Sequence, residues 1–286
     1  MGYFLRNGLL VFLAVLSIEN SCFSQKVNVD IKNYKVSIES PYHLDLKKDL
    51  AIGLGATALI ITGRLLQANK PQITQEEIDN ETTDHIPAFD LPAIHQYQNT
   101  YLAASNVLLY TAMAMPFISF VDLRVKGHAP QVIALYFEAL AINGAAYSMT
   151  TGLISRRRPL TWNTDVNDGI PEVPNDKKLT KSAEDSFFSG HTSTAATTTF
   201  FGARIFTDFR PHSKLVPFVW GAAVAVPAFT AFARYKAGKH FPSDVITGYV
   251  VGASIGYLVP VLHRVKGGEN VSLFPTENGL GMVYTF

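Results

Sequence analysis

Six apolar stretches alternate with polar connections along the chain, at residues 50–66, 101–121, 129–153, 192–206, 215–233 and 245–262. All are rich in Ala, Leu, Val and Gly, have helical length and lack the two-residue alternation of a half-buried strand, so they predict an all-α fold built as a six-helix core bundle. Alternation appears only outside them. Val27, Val29 and Ile31 mark an extended arm at residues 26–40, and Leu280, Met282, Tyr284 and Phe286 mark a strand-like tail.

A helix that crosses a bilayer needs about 20 predominantly apolar residues, and a charge inside it is costly. The second, fifth and sixth stretches meet this easily. The first is pinched between Asp49 and Arg64, the third holds Glu138 and the fourth reaches Arg204 early. The balance favours a membrane-embedded bundle over a soluble one. The N-terminus adds to this: Arg6, an apolar run at 9–18 and the small-residue pattern Cys22-Phe23-Ser24 predict a secretory signal cleaved near Ser24, with an uncleaved anchor as the alternative. Either assigns the chain to the cell envelope. The only cysteine, Cys22, falls in this segment, which excludes a disulfide framework.

With a cleaved signal, three crossings ahead of Arg158 would put the arginines there in the cytoplasm. A site facing the periplasm or exterior therefore requires one stretch not to cross. The short first stretch is the expected one, lying in the interface or packed as a core helix. The organisation reads as a signal or anchor (1–24), an arm with the first helix and an acidic loop (25–99), a catalytic helical domain (100–264) and a tail (265–286).

Lys and Arg total 24 against 23 Asp and Glu, a formal net charge of +1, so no chain-wide field draws the protein to nucleic acid. Charge is instead concentrated locally. Two long polar connections interrupt the helices: 67–100, acidic with Pro71, Pro87 and Pro92, and 160–185, with Asp165, Asp168 and Lys177-Lys178. The second joins two polar clusters and reads as a lid.

Three clusters stand at helix ends: Ser155 to Pro159, Ser186 to His191, and Arg234 to Asp244. Singly, each has a plain explanation: a basic C-terminal cap, a Ser189-Gly190 N-cap with a surface His191, and a helix start with Asp244 matched to the dipole. Together they supply what phosphoryl transfer through a phosphohistidine requires. Arginines neutralise the phosphate, one imidazole attacks and another protonates the leaving oxygen.

The order Arg158-Pro159, Ser189-Gly190-His191, Arg234-x5-His240-x3-Asp244 resembles the three signature motifs of the type 2 phosphatidic acid phosphatase superfamily, over roughly residues 100–262. The resemblance implies that His240 is the nucleophile, that Asp244 orients it and that His191 is the general acid. It also implies that Arg158, Arg234, Ser189 and Gly190 hold the phosphate, with no metal and no cofactor. The implied activity is metal-independent hydrolysis of a lipid phosphomonoester or pyrophosphate at a membrane. The alternatives are a soluble periplasmic acid phosphatase, a vanadate-dependent haloperoxidase and a weakened, non-catalytic binding member.

Three positions depart from the family pattern. Thr151 stands where the first motif begins with lysine, Phe188 where proline is usual and Ala233 where serine is usual. The first leaves the phosphate one cation short, which implies reduced activity unless Arg156, Arg157 or Lys236 compensates.

Overall fold

The computed structural model describes residues 40–163, 173–265, 271–276 and 279–284. The segment read as a signal, nearly all of the N-terminal arm and the middle of the 160–185 connection lie outside the described residues. Six long helices are present among those described: α1 (Leu46–Ala68), α2 (Asn99–Ala114), α3 (Ala129–Leu153), α4 (Gly190–Phe209), α5 (Val216–Lys236) and α6 (Pro242–Leu262). A 3-10 segment, Met115–Val121, extends α2. The strand-like tail is an antiparallel hairpin, β1 (Val271–Thr276) with β2 (Gly279–Tyr284), paired from Val271↔Tyr284 to Thr276↔Gly279.

Local chemistry sets the helix starts. The Asp45 carboxylate accepts from the Lys47 and Lys48 amides ahead of α1, and Ser189 Oγ accepts from Thr192 N at α4. Proline occupies the first turns of α3, α5 and α6, where its missing N–H costs nothing. Five helices are long and apolar enough to cross a membrane: α1, α2 with its extension, α3, α5 and α6. Their outward faces carry exposed Leu54, Ile61, Leu65, Val107, Phe218, Phe229 and Val250, an apolar surface suited to lipid.

The first stretch, expected not to cross, is thus among the candidate spans, and α4 is not. The reason lies in where the charges fall. Asp49 is in the first turn of α1 and Arg64 near its end, where Nη1 donates to Gln67 Oε1 at 2.9 Å, so the intervening residues stay apolar. α4 is instead the inner helix. Ser193, Thr197, Thr198 and Thr199 are buried there, with Thr197 Oγ1 donating to Ser193 O (2.9 Å) and Thr199 Oγ1 reaching Ala223 O on α5 (2.9 Å).

α6 lies directly on this helix through Gly248, Gly252 and Gly256. A Cβ at these positions would stand 2.6, 2.0 and 2.2 Å from the carbonyl oxygens of Ser189, Ser193 and Thr197. Four-residue glycine spacing is a close-approach seam of the kind membrane helices use. Gly252→Val is expected to break the seam, costing about 3 kcal/mol or more as overpacking. A clearly lowered unfolding temperature in detergent checks it; an unchanged one would mean that the helices are not in this contact.

The helices alternate in direction, so the connections 69–98 and 237–241 and the described parts of 154–189 meet at one end. Backbone hydrogen bonds lace them together: Gln98 N to Lys236 O (3.1 Å), Arg158 N to Ala183 O (2.7 Å) and Leu160 N to Gly238 O (3.0 Å). All three polar clusters lie at this end.

Candidate active site

Motif by motif, the backbone explains the placement. After α3 the chain runs extended past Asp185, with Arg156 and Asp185 in a parallel bridge, and Pro159 opens a 3-10 turn whose Thr161 hydroxyl donates to Arg158 O at 2.8 Å. Ser189 N donates to Asp244 O (3.1 Å), which ties the start of α4 to the start of α6. Gly190 is required by space, because a Cβ there would meet the Tyr147 ring at 2.8 Å. Phe188, buried, packs edge-on against the same ring at 5.9 Å, so aromatic packing holds this turn where the family uses proline. Gly238 has φ +64°, and a Cβ would stand 2.1 Å from Gln96 O; this left-handed turn carries the chain from Arg234 to His240.

His240 is 2 % exposed. Its Nδ1–H donates to the Ser186 carbonyl at 2.7 Å, and Arg234 Nη2 approaches Nε2 at 3.4 Å. That pairing selects the tautomer with a lone pair on Nε2. Burial, then the charges of Arg234 and Arg158, hold the imidazole well below its usual range, so it is neutral at physiological pH.

Asp244 is not the hydrogen-bond partner of the ring. Its Oδ2 is 3.9 Å from Nδ1 and accepts instead from Ser186 Oγ (2.6 Å) and Phe241 N (2.8 Å). Ser186 therefore links the two, carbonyl to His240 and hydroxyl to Asp244. Nothing in the linear sequence singles out that serine, since the link forms only when the second and third motifs meet.

Arg234 faces Nε2, and Arg158 is near enough for its charge to act on the ring. Arg234 is buried, with Ser105 Oγ (3.5 Å) as its other contact, and its Nε has no partner among the described residues; neither does Arg158 Nε. Arg158 Nη2 reaches Asp185 O, at 3.5 Å. His191, at the start of α4 and outside the five candidate spans, has Nε2 2.9 Å from Asn106 Oδ1. Burial, then Arg234 and Arg158, push it down to about 3.

Lys239 is the cation that motif reading missed. It has no ion-pair or side-chain hydrogen-bond partner among the described residues, and burial followed by the charges of Arg158, Arg234 and Lys177 brings its ammonium down to about 7. The charges of Arg158 and Arg234 thus act on Lys239 and on both neutral imidazoles, a concentration of positive potential suited to a phosphate dianion.

The three cations named from sequence as substitutes for the missing lysine are engaged elsewhere. Arg156 pairs with Asp90 (2.7 Å) and Asp244, and lies 4.4 Å over the Phe241 ring. Arg157 pairs with Glu81 and, at 4.0 Å, with Glu77, and Lys236 Nζ donates to Gln96 Oε1 at 3.1 Å. Thr151 is itself buried, its hydroxyl donating to Tyr147 O at 2.8 Å and meeting the Gln67 amide. Ser189 Oγ is 2.9 Å from Thr192 Oγ1, within its own helix start.

Among the described residues, one group has metal-ligand geometry: Asp49, Glu138 and His263, whose ligand atoms lie within 4.8 Å of one another. It sits at the other end of α6 from His240, about 30 Å away by helical rise. His263 Nδ1–H donates to Val259 O (2.8 Å), while Nε2 faces Asp49 at 3.2 Å and Glu138 at 3.5 Å, an arrangement that an imidazolium satisfies as well as a cation would.

Comparison with curated proteins and with solved structures returned no match. The family model described as PAP2 superfamily matches residues 132–267, from within α3 past the end of α6, and so includes all three motifs. Residues 132–267 thus match the PAP2 superfamily, the type 2 phosphatidic acid phosphatase group that the motifs resemble and whose members are generally phosphatases.

Proposed function

We propose that this membrane-associated protein hydrolyses a lipid phosphomonoester or pyrophosphate, without a metal, through a phosphohistidine on His240. One observation carries the reading: the neutral Nε2 of His240 faces the Arg234 guanidinium, whose Nε, like that of Arg158, has no partner among the described residues. In the first step Nε2 attacks phosphorus as the bond to the ester oxygen breaks, and His191 gives that oxygen its proton. A bound dianion is what charges His191 for this role, by offsetting Arg158 and Arg234. Water then attacks the phosphohistidine and returns its proton to His191; inorganic phosphate leaves and His240 is restored. Ser186 and Asp244 stabilise the positive imidazole between the steps.

A lipid substrate is supported by position. The site lies at one end of a bundle whose sides are apolar, where a headgroup at the membrane surface meets it. We place the site on the periplasmic or outer face, with residues 1–24 as signal or anchor. The test is a phosphate-release panel of lipid and soluble phosphomonoesters with EDTA and with orthovanadate. Hydrolysis of lipid substrates, insensitive to EDTA and blocked by vanadate, is expected; EDTA sensitivity or vanadate insensitivity would count against the mechanism. Release of the protein from membranes by a carbonate wash would shift the reading to a soluble acid phosphatase.

Lys239 takes the place of the missing lysine as the third cation. Its ammonium is charged below about 7 and loses its proton above, so phosphate binding weakens as pH rises through neutrality. kcat/KM is expected to fall on the alkaline side of pH 7 in the wild type, and Lys239→Gln should lower it below pH 7 and flatten that limb. A variant with the wild-type alkaline limb would exclude Lys239 from the site.

A further inference from the structure

The connection ahead of the matched region sends a carboxylate into the site. Asp90 lies just before a 3-10 turn (Leu91–Ala93) and is 1 % exposed. Its Oδ1 accepts from Ser243 N at 3.0 Å, and its Oδ2 accepts from Ser243 Oγ at 2.6 Å and Arg156 Nη2 at 2.7 Å. Arg156 then turns its other nitrogen, Nη1, to Ser243 Oγ (2.8 Å) and Asp244 Oδ1, with its plane held over Phe241. The path continues from Asp244 through the Ser186 hydroxyl, and from the Ser186 carbonyl to His240 Nδ1.

The rest of this connection is fastened to the same end. Gln98 N donates to Lys236 O and Tyr235 OH to Pro92 O (3.5 Å), and Ile86 and Ala93 pack with Phe241. The carboxylate thus arrives on a fixed support.

We infer that Asp90 is a positioning residue for the nucleophile, holding Arg156 between two carboxylates so that Asp244 stays aligned on Ser186 and keeps its negative potential at the His240 ring. This rests on the reading of His240 given above. A single arginine shared by two buried carboxylates leaves one negative charge uncompensated. Without Asp90 the whole guanidinium charge falls on Asp244, and the field that stabilises a positive imidazole weakens. The other charged or titratable groups facing His240 are Arg234, Arg158 and His191, none of which supplies negative charge.

Asp90→Asn keeps the shape and removes the charge. It is expected to lower kcat about 30-fold with KM changed less than about 3-fold, the pattern of lost transition-state alignment. It should also move the acid limb of kcat/KM to lower pH, because His240 becomes less basic; a purely structural role would not move that limb. In an Arg156→Gln background the same change should cost little, since the path runs through Arg156. Wild-type kcat and an unmoved limb in Asp90→Asn, or its full cost retained in the Arg156→Gln background, would overturn the inference while leaving the phosphatase reading intact. If Asp90→Asn does not fold, Arg156→Gln alone must move the acid limb the opposite way, to higher pH, because it removes the charge that offsets Asp244; an unshifted limb overturns the inference. Orthovanadate binding by calorimetry gives a readout without turnover, with Asp90→Asn expected to bind about 10-fold more weakly. A wild type that neither releases phosphate nor binds vanadate would sink both this inference and the reading beneath it.

Discussion

His240→Ala is expected to lower phosphate release by at least about 10³-fold while the protein remains folded. The His240 imidazole is neutral, buried and held in a single tautomer, with Nδ1–H on the Ser186 carbonyl and Nε2 facing Arg234. Its removal leaves that carbonyl without its partner, a cost of about 1–3 kcal/mol, while Ser186 Oγ, Phe241 N and Arg156 still hold Asp244 in place. His240→Gln separates the loss of chemistry from the loss of that hydrogen bond, since an amide N–H can donate to Ser186 O but cannot carry a phosphoryl group. Both variants should be equally inactive. Acid quenching of the wild type during turnover should trap an acid-labile phosphoprotein that neither variant forms. Retention of a tenth of wild-type activity by His240→Ala would place the nucleophile elsewhere.

The helices were legible because their periodicity and caps are local. The stretch 129–153 coincides with α3, and 245–262 falls short of α6 by only the first-turn residues Pro242, Ser243 and Asp244. Which helix is innermost was harder to read. Charge counting set the first stretch apart because of Asp49 and Arg64, yet both sit at the ends of a helix that spans about 35 Å at 1.5 Å per residue. The inner position of α4 follows from threonines that return their hydroxyls to their own backbone and from the glycine seam on α6. Gly248, Gly252 and Gly256 were visible in the sequence, but the helix they face was not.

The site divides in the same way. The three motifs and the family they resemble indicated Arg158, His191, Arg234 and His240, and the fold brings them to one end of the bundle. The motifs did not indicate the partners that set their chemistry, because those come from distant segments: Ser186 for the His240 ring, Asp90 for Arg156, Asn106 for His191 and Ser105 for Arg234. Lys239 was hidden for a different reason. Adjacent side chains usually diverge, yet after the left-handed turn at Gly238 this ammonium feels the same two arginines as its neighbour His240.

Arg234→Met is expected to cost about 10²- to 10³-fold in kcat/KM and yet not to lower the unfolding temperature in phosphate-free detergent. A buried guanidinium is stabilising only when its donors are met. Here Nε has no partner among the described residues, the contacts to Ser105 and His240 are at 3.5 and 3.4 Å, and Arg158 adds a like charge nearby. Methionine fills similar volume without that penalty, so the empty protein loses nothing that Arg234 provides. The balance reverses when an anion binds. Orthovanadate or phosphate at 100 times its dissociation constant should stabilise the wild type by about 2.7 kcal/mol and the variant far less, because the ligand supplies the acceptors the arginine lacks. A strong destabilisation of Arg234→Met without anion would show that the guanidinium holds the fold instead of waiting for phosphate. Equal anion stabilisation of both proteins would remove Arg234 from the phosphate site. The pattern expected between these outcomes, activity lost and empty-state stability kept, is that of a residue maintained for its ligand at the expense of the unliganded bundle.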